Sequence, residues 1–326
     1  MNIVQATSDY EKWLGRHTKL IPAELRRKHE LMRDGAFPFL RGTFYRWAQV
    51  WPEVCQDFAR APRVLAVGDL HVENFGTWRD IEGRLIWGIN DFDEAVVQAY
   101  TNDIIRLTAS ALLAAEDEVM AVRGPAGAEA ILEGYLCGLG QGGRPLLLGE
   151  KRKWLWQIAH GEARIPAVFW DKLGALARLK AIPHDVRKAI EPLLPGQDIK
   201  LHFVHGIAGV GSLGRQRYVA IGDWGGGKVA REAKPMVPSA AAWAGKAKHE
   251  PGVLYQRILD RSVRCLDPFV RLEGGWLVRR LSPDCSRIEL AQLPIRRDEL
   301  RLLHCMGWET GGFRGLASMA SREPTK

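Results

Sequence analysis

Two short apolar runs in this chain each end in an acidic loop, and that repetition constrains the fold more than any other feature. Arg63-Val-Leu-Ala-Val67 runs straight into Gly68-Asp-Leu-His-Val-Glu-Asn-Phe-Gly76. Arg84-Leu-Ile-Trp-Gly-Ile89 runs into Asn90-Asp-Phe-Asp-Glu94. Both runs have the length and composition of buried strands. A carboxylate at a strand end is fixed by the sheet and still escapes full burial. A helix follows, with its buried face in the apolar run from Ile104 to Ala115 and with Thr101 or Asn102 as its expected cap.

The spacing within these loops suits phosphoryl transfer. That reaction needs a carboxylate to orient a hydroxyl and accept its proton, and an oxygen ligand for magnesium close by. Asp69 and Asn74 share one loop at the spacing of kinase catalytic loops, so Asp69 is the candidate base and Asn74 a candidate metal ligand. Asp91 is the second candidate ligand, because a hard cation prefers carboxylate oxygen. Asp93 stands where a protein kinase has the glycine of D-F-G. The same residues also read as a capped turn and as an acidic helix cap. His71 has two readings, a contact to substrate phosphate or a hydrogen-bonded structural histidine. Asp103 either supports the catalytic loop or caps its own helix.

A second constellation lies far downstream. His202 to Ala208 leads into Gly209-Val-Gly-Ser-Leu-Gly214, then Arg217-Tyr-Val-Ala-Ile221, a turn at Gly225-Gly226-Gly227, and Lys228-Val-Ala-Arg-Glu-Ala-Lys234. G-x-G-x-x-G alone is shared by dinucleotide-binding folds and kinases. In the former it opens a helix; here the β-branched and aromatic residues after it predict a strand. A glycine loop between two antiparallel strands covers phosphates from above. Gly209, Gly211, Ser212 and Gly214 are therefore candidate nucleotide-binding positions. Lys234, ending the third strand, corresponds to the lysine of V-A-I-K. Glu250 is the only acidic residue between Lys234 and Asp260, and so the candidate partner of Lys234 from the next helix.

Elsewhere the pattern predicts helices over about 8–60 and 125–195, a helical stretch over about 238–265, and a hairpin through Gly274-Gly275 joining Phe269–Leu272 to Trp276–Leu281. The tail reads as helical to about Met306, with frayed last residues. Five cysteines without a C-x-x-C pair argue against a disulfide framework or zinc site. No apolar run suggests a signal peptide or a membrane span. These features lead to an expected cytoplasmic, soluble protein with no membrane partner. The net charge of +8 is spread along the chain, so nucleic acid is not an expected partner.

These residues together resemble an uncharacterised bacterial family, domain of unknown function 2252, within the protein-kinase-like superfamily. The resemblance rests on Phe37-Pro-Phe-Leu-Arg-Gly42, Gly68-Asp-Leu-His-x-x-Asn-Phe-Gly76, Asn90-Asp-Phe-Asp-Glu94 and Asp103-Ile-Ile-Arg-Leu107. It continues in the glycine loop, Glu232-Ala-Lys234, Gln256-Arg257 and Val278-Arg-Arg-Leu281. G-D-x-H-x-x-N and D-F-D are also similar to aminoglycoside and choline kinases. The resemblance implies an α+β, two-lobed kinase-like fold. Here the glycine loop follows the catalytic loop, which implies circular permutation. The expected division is a helical catalytic lobe over 1–195, a small antiparallel β lobe over 196–285, and a helical segment over 286–326 returning to the first lobe.

The expected function is an ATP- and magnesium-dependent phosphotransferase acting on a small-molecule or protein hydroxyl. The alternative is a nucleotide-binding pseudokinase that regulates without chemistry. A metallophosphoesterase, suggested by Gly68-Asp-Leu-His71, ranks third because no G-N-H-D or G-H-x-H follows.

Overall fold

In the computed structural model, residues 1–122, 125–159, 164–207, 209–245, 250–285, 287, 290 and 298–312 are described. The chain opens with helices α1 (Ile3–Leu14), α2 (Pro22–Asp34), α3 (Ala36–Gly42), α4 (Phe44–Val54) and α5 (Gln56–Ala59). The Asn2 side chain caps α1 by accepting from Gln5 N at 2.9 Å. Pro22 opens α2, where its missing N–H costs nothing.

Strands β1 (Arg63–Ala66), β2 (Phe75–Arg79), β3 (Leu85–Ile89) and β4 (Val96–Ala99) follow. β1 pairs with β4, and β2 with β3, both antiparallel. The first acidic loop therefore joins β1 to β2 and the second joins β3 to β4. The amide of Asn90 donates to the Asn74 carbonyl at 3.0 Å, tying the two loops together. Gly68 makes the tie possible: its φ is +88°, and a Cβ there would stand 2.1 Å from the Glu94 carbonyl oxygen. Helix α6 (Tyr100–Glu116) then packs its Leu107, Ala111 and Ala114 into the main core with Phe75, Trp87 and Ile89.

The middle of the chain holds α7 (Ala126–Gly140), the two-residue β5 (Leu146–Leu147) against β3, α8 (Lys153–Ala159), α9 (Pro166–Gly174) and α10 (His184–Ile190). Five strands then form one antiparallel sheet: β6 (His202–His205), β7 (Tyr218–Trp224), β8 (Gly227–Pro235), β9 (Arg271–Glu273) and β10 (Trp276–Leu281), in the order β6-β7-β8-β10-β9. Between β8 and β9 lie α11 (Ala240–Ala244) and α12 (Val253–Arg261). Strand alternation splits the sheet into two faces. Phe203, Tyr218, Ala220, Ala233 and Val278 pack against Val186 and Ile190 of α10. Val219, Glu232 and Arg279 stand side by side on the opposite face. Helix α13 (Glu299–Gly311) packs along α7, bringing the end of the described chain back to the N-terminal helices and strands.

The chain is thus a mixed α+β structure with small antiparallel sheets, as its strand and helix patterns lead one to expect. Three local expectations need correction. β2 was not anticipated, because Phe75-Gly-Thr-Trp-Arg79 breaks the apolar run with glycine, threonine and arginine. Helix α6 begins at Tyr100 without a side-chain cap. Thr101 instead donates to the Phe58 carbonyl, and Asn102 bonds Trp47 and Gln98. The stretch over 238–265 breaks into two short helices around Gly252, whose φ is +82°. The expected frayed tail lies outside the described residues.

Candidate functional site

A cleft of about 260 Å³ lies between the two acidic loops and the inner face of the five-stranded sheet. Asp69, His71, Asn74, Asp91 and Asp93 line it from the loops, and Gly209, Gly211 and Ser212 from the glycine loop. Gly214 sits at the far end of that loop, where its amide donates to Glu24 of α2 at 3.0 Å. Lys234, buried on β8, reaches both acids of the second loop: its Nζ lies 3.3 Å from Asp91 Oδ1 and 2.7 Å from Asp93 Oδ1.

The first loop is preorganised by its own backbone and by α6. Asp103 is buried and accepts from the amides of Val67 at 2.7 Å and Gly68 at 3.0 Å. It supports the turn that presents Asp69 rather than capping its own helix. Burial raises the Asp103 pKa to about 6 against those two amides. Asn74 Oδ1 accepts from His71 N at 2.7 Å, and His71 Nδ1 accepts from Glu73 N at 3.1 Å. Burial, with Arg41, Arg106 and Arg287 nearby, lowers the His71 pKa well below its ordinary value. His71 is therefore a neutral, loop-shaping acceptor.

Asp69 accepts from Arg106 through Oδ1, with Arg106 Nε at 2.9 Å. Arg106 is fully buried, donates also to the Leu40 carbonyl, and stacks on Phe44 and Trp47. Burial raises the Asp69 pKa to about 6, and Arg106 holds it from rising further. Its other oxygen, Oδ2, faces the glycine loop: a Cβ on Gly211 would stand 3.6 Å from it and 3.1 Å from the Arg41 carbonyl. Only a glycine lets the loop come this close without displacing α3. Lys28 of α2, also buried, donates to the Gly211 carbonyl at 3.1 Å, and burial with Arg215 lowers its pKa to about 8.

The second loop has the opposite electrostatics. Burial works to raise the Asp91 pKa, but Lys234, Arg279 and Arg217 outweigh it and hold the group well below the carboxylate range. Asp93 is pushed up by burial and by Asp91. Two carboxylates sharing one ammonium do not ionise equally easily, and Asp91 carries the charge. Across the sheet face, Glu232 accepts from Arg279 Nε at 2.6 Å and pairs with Arg217 at 2.8 Å. Burial opposes its ionisation, yet the two arginines lower its pKa to about 2. Glu94 accepts from Ala240 N at 2.6 Å and Ser239 Oγ at 2.8 Å, so the second loop also anchors the chain beyond β8.

Glu250 is exposed, and among the described residues it makes no ion pair with Lys234. The acidic partners of Lys234 come from the second loop, because Pro251 and Gly252 keep Glu250 outside α12.

Several cleft residues were missed in the sequence. Arg106 follows Asp103 by one helical turn, a spacing that puts both on one face. Glu232 precedes Lys234 by two, which puts both on one strand face. Arg217 and Arg279 meet Glu232 only through strand register, and no local signal marks them.

Among the described residues no three His, Cys, Asp or Glu side chains converge as a metal cage. Magnesium bound mainly through phosphates needs only one or two carboxylates. Asp91 and Asn74 meet that smaller demand, while Asp93 Oδ1 is held by Lys234 Nζ at 2.7 Å. The cleft also fits a nucleotide in outline. Arg215, Arg217 and Arg279 supply positive charge, and Leu173, Leu176, Val219 and Leu281 belong to one apolar cluster on its wall.

Residues 19–134 match the model of a family described as an uncharacterised protein conserved in bacteria, DUF2252. The matched part includes Asp69, Asn74, Asp91 and Asp103 and ends before the glycine loop. No curated protein and no solved structure matches the chain. No helix among the described residues is long and apolar enough to cross a membrane.

Proposed function

We propose that the chain is an ATP- and magnesium-dependent phosphotransferase with a two-lobed, protein-kinase-like arrangement in circularly permuted order. The observation that carries this reading is the contact of Lys234 with Asp91 at 3.3 Å across 143 positions of sequence. Two halves of a phosphate site, far apart in the chain, face each other over one cleft. Further support comes from topology. The glycine loop joins the first two strands of the sheet, the lysine stands on the third, and a helix follows before the last two. Kinases place a glycine loop, a strand lysine and a following helix in this sequence.

The helical lobe in this reading is 1–195, the β lobe is 196–285, and within 286–326 helix α13 packs back on α7 of the first lobe. The segment around 125–200 joins what are the outer ends in an unpermuted kinase. Asp69 takes the proton of the acceptor hydroxyl on Oδ2, while Arg106 fixes the carboxylate through Oδ1. Asp91 and Asn74 are the magnesium ligands. Magnesium, when bound, neutralises charge on the phosphates and lowers the barrier to transfer. Lys234 and the amides of Gly209 and Gly211 hold the phosphates, with Arg217 and Arg279 adding positive charge above them; the Gly214 amide is taken by Glu24. Asp103 holds the turn, and Glu232 keeps the two arginines in place. The nucleobase packs against Leu173, Leu176 and Val219.

The test is transfer of the γ-phosphoryl group from labelled ATP. Wild type in magnesium moves label to water or to an added acceptor, and Asp69→Asn does not, while still binding ATP. Equal, negligible turnover in both proteins, with binding retained, contradicts the enzyme and favours a nucleotide-binding regulator.

A further inference from the structure

Behind Arg279 and Leu281 lies a second cavity of about 210 Å³, on the far side of the wall that bounds the nucleotide cleft. It is lined by aromatic side chains, Trp78, Phe92 and Tyr255, and by the aliphatic Leu259, Leu266 and Val270. Four arginines, Arg264, Arg279, Arg280 and Arg287, and one carboxylate, Asp267, also line it, and Arg264 and Arg280 carry open buried donors.

Arg264 lies against Trp78 at 4.5 Å and Phe92 at 4.9 Å. Its Nη2 donates to the Ile89 carbonyl at 2.9 Å. Its Nε and Nη1, and the Nε of Arg280, are buried and have no hydrogen-bond acceptor among the described residues. The nearest carboxylates are already engaged. Asp267 accepts from Arg280 Nη2 at 3.3 Å and from Phe269 N at 3.0 Å. Glu309 accepts from Ile89 N at 3.3 Å. Buried guanidinium donors left without acceptors are costly, and a cavity beside them offers a way to satisfy them.

We propose that this cavity binds a small organic carboxylate, its anionic head on the open donors of Arg264 and Arg280 and its apolar body between Trp78, Phe92 and Tyr255. A carboxylate rather than a polyanion suits the site, because the open donors are few and most of the lining is apolar. The volume of about 210 Å³ suits a single-ring body and falls below the usual range for drug-sized ligands. The site shares the wall formed by Arg279 and Leu281 with the first cleft, but its open donors, on Arg264 and Arg280, belong to this cavity alone, so it holds whether or not the chain transfers phosphate.

Calorimetric titration with benzoate, and with benzamide as the neutral isostere, tests it on the full chain. Benzoate is expected to bind one to one, and benzamide about tenfold more weakly, the cost of losing a charge-assisted hydrogen bond. Arg264→Met keeps an unbranched side chain over Trp78 and Phe92 and is expected to weaken benzoate by about tenfold or more. Leu259→Trp fills the cavity while leaving both arginines in place, and is expected to abolish binding. It decides the matter if the Arg264 variant melts early. Absence of saturable benzoate binding, equal binding of benzoate and benzamide, or wild-type affinity in either folded variant overturns the proposal.

Discussion

The two acidic loops are built alike and charged in opposite ways. Each follows a short strand, each is at least partly buried, and each offers an aspartate to the same cleft. Asp69 has a single arginine and a pKa raised to about 6 by burial. Asp91 faces Lys234, Arg279 and Arg217, which overcome burial and keep it ionised. What separates them is the number of cations supplied by other parts of the chain, not the local motif. A carboxylate poised near neutral pH can trade a proton, whereas one held ionised can only anchor charge. On the proposed reading the base lies on the first loop and the charged cation ligand on the second, with Asn74 of the first loop as the neutral ligand.

The sharpest way to break this division is to remove each carboxylate in turn. Asp69→Asn is expected to lower kcat by roughly 10²–10⁴-fold, the usual worth of a positioned base, with ATP affinity nearly unchanged in calorimetry. Asp91→Asn is expected to weaken magnesium-dependent ATP binding by on the order of 100-fold, because one fixed charge at the phosphates is lost. Arg106→Met acts on stability rather than on the rate alone. It strips the buried counterion from Asp69 and should cost about 3–5 kcal/mol in denaturant unfolding. The same change raises the Asp69 pKa further, so any residual activity shifts to higher pH.

The pH dependence follows from sign alone. Asp69 must be ionised to accept a proton, so the wild-type rate should fall as pH drops through about 6 and level off above it. A rate that rises on acidification contradicts the base assignment. The mildest change is Gly211→Ala. Its Cβ would meet the Arg41 carbonyl at 3.1 Å, so the loop must shift by a few tenths of an ångström. About a threefold rise in KM for ATP is expected, with little change in melting temperature.

Much of this was legible in the sequence because it is local. Apolar runs ending in Asp loops gave β1 and β3 with their carboxylates, and glycine pairs gave the turns between β7 and β8 and between β9 and β10. Asp103 was legible as an acid at a helix start that either supports the first loop or caps its helix, and the Val67 and Gly68 amides decide for the loop. What stayed hidden is carried by long side chains crossing between elements. Arg41 from α3, Arg217 beside β7 and Arg279 from β10 reach the cleft only after strand register and helix docking are fixed. Lys234 finds its acidic partners on the second loop and not on the following helix for the same reason. The acids that neutralise it lie far upstream in sequence and adjacent in space.

The central claim is most directly tested by titrating ATP, with and without magnesium, into wild type, Asp69→Asn and Asp91→Asn. The account predicts that magnesium tightens binding in wild type and in Asp69→Asn alike, and that Asp91→Asn loses this gain. Magnesium-dependent binding that survives in Asp91→Asn, or that disappears equally in both variants, would contradict the division of labour between the two loops.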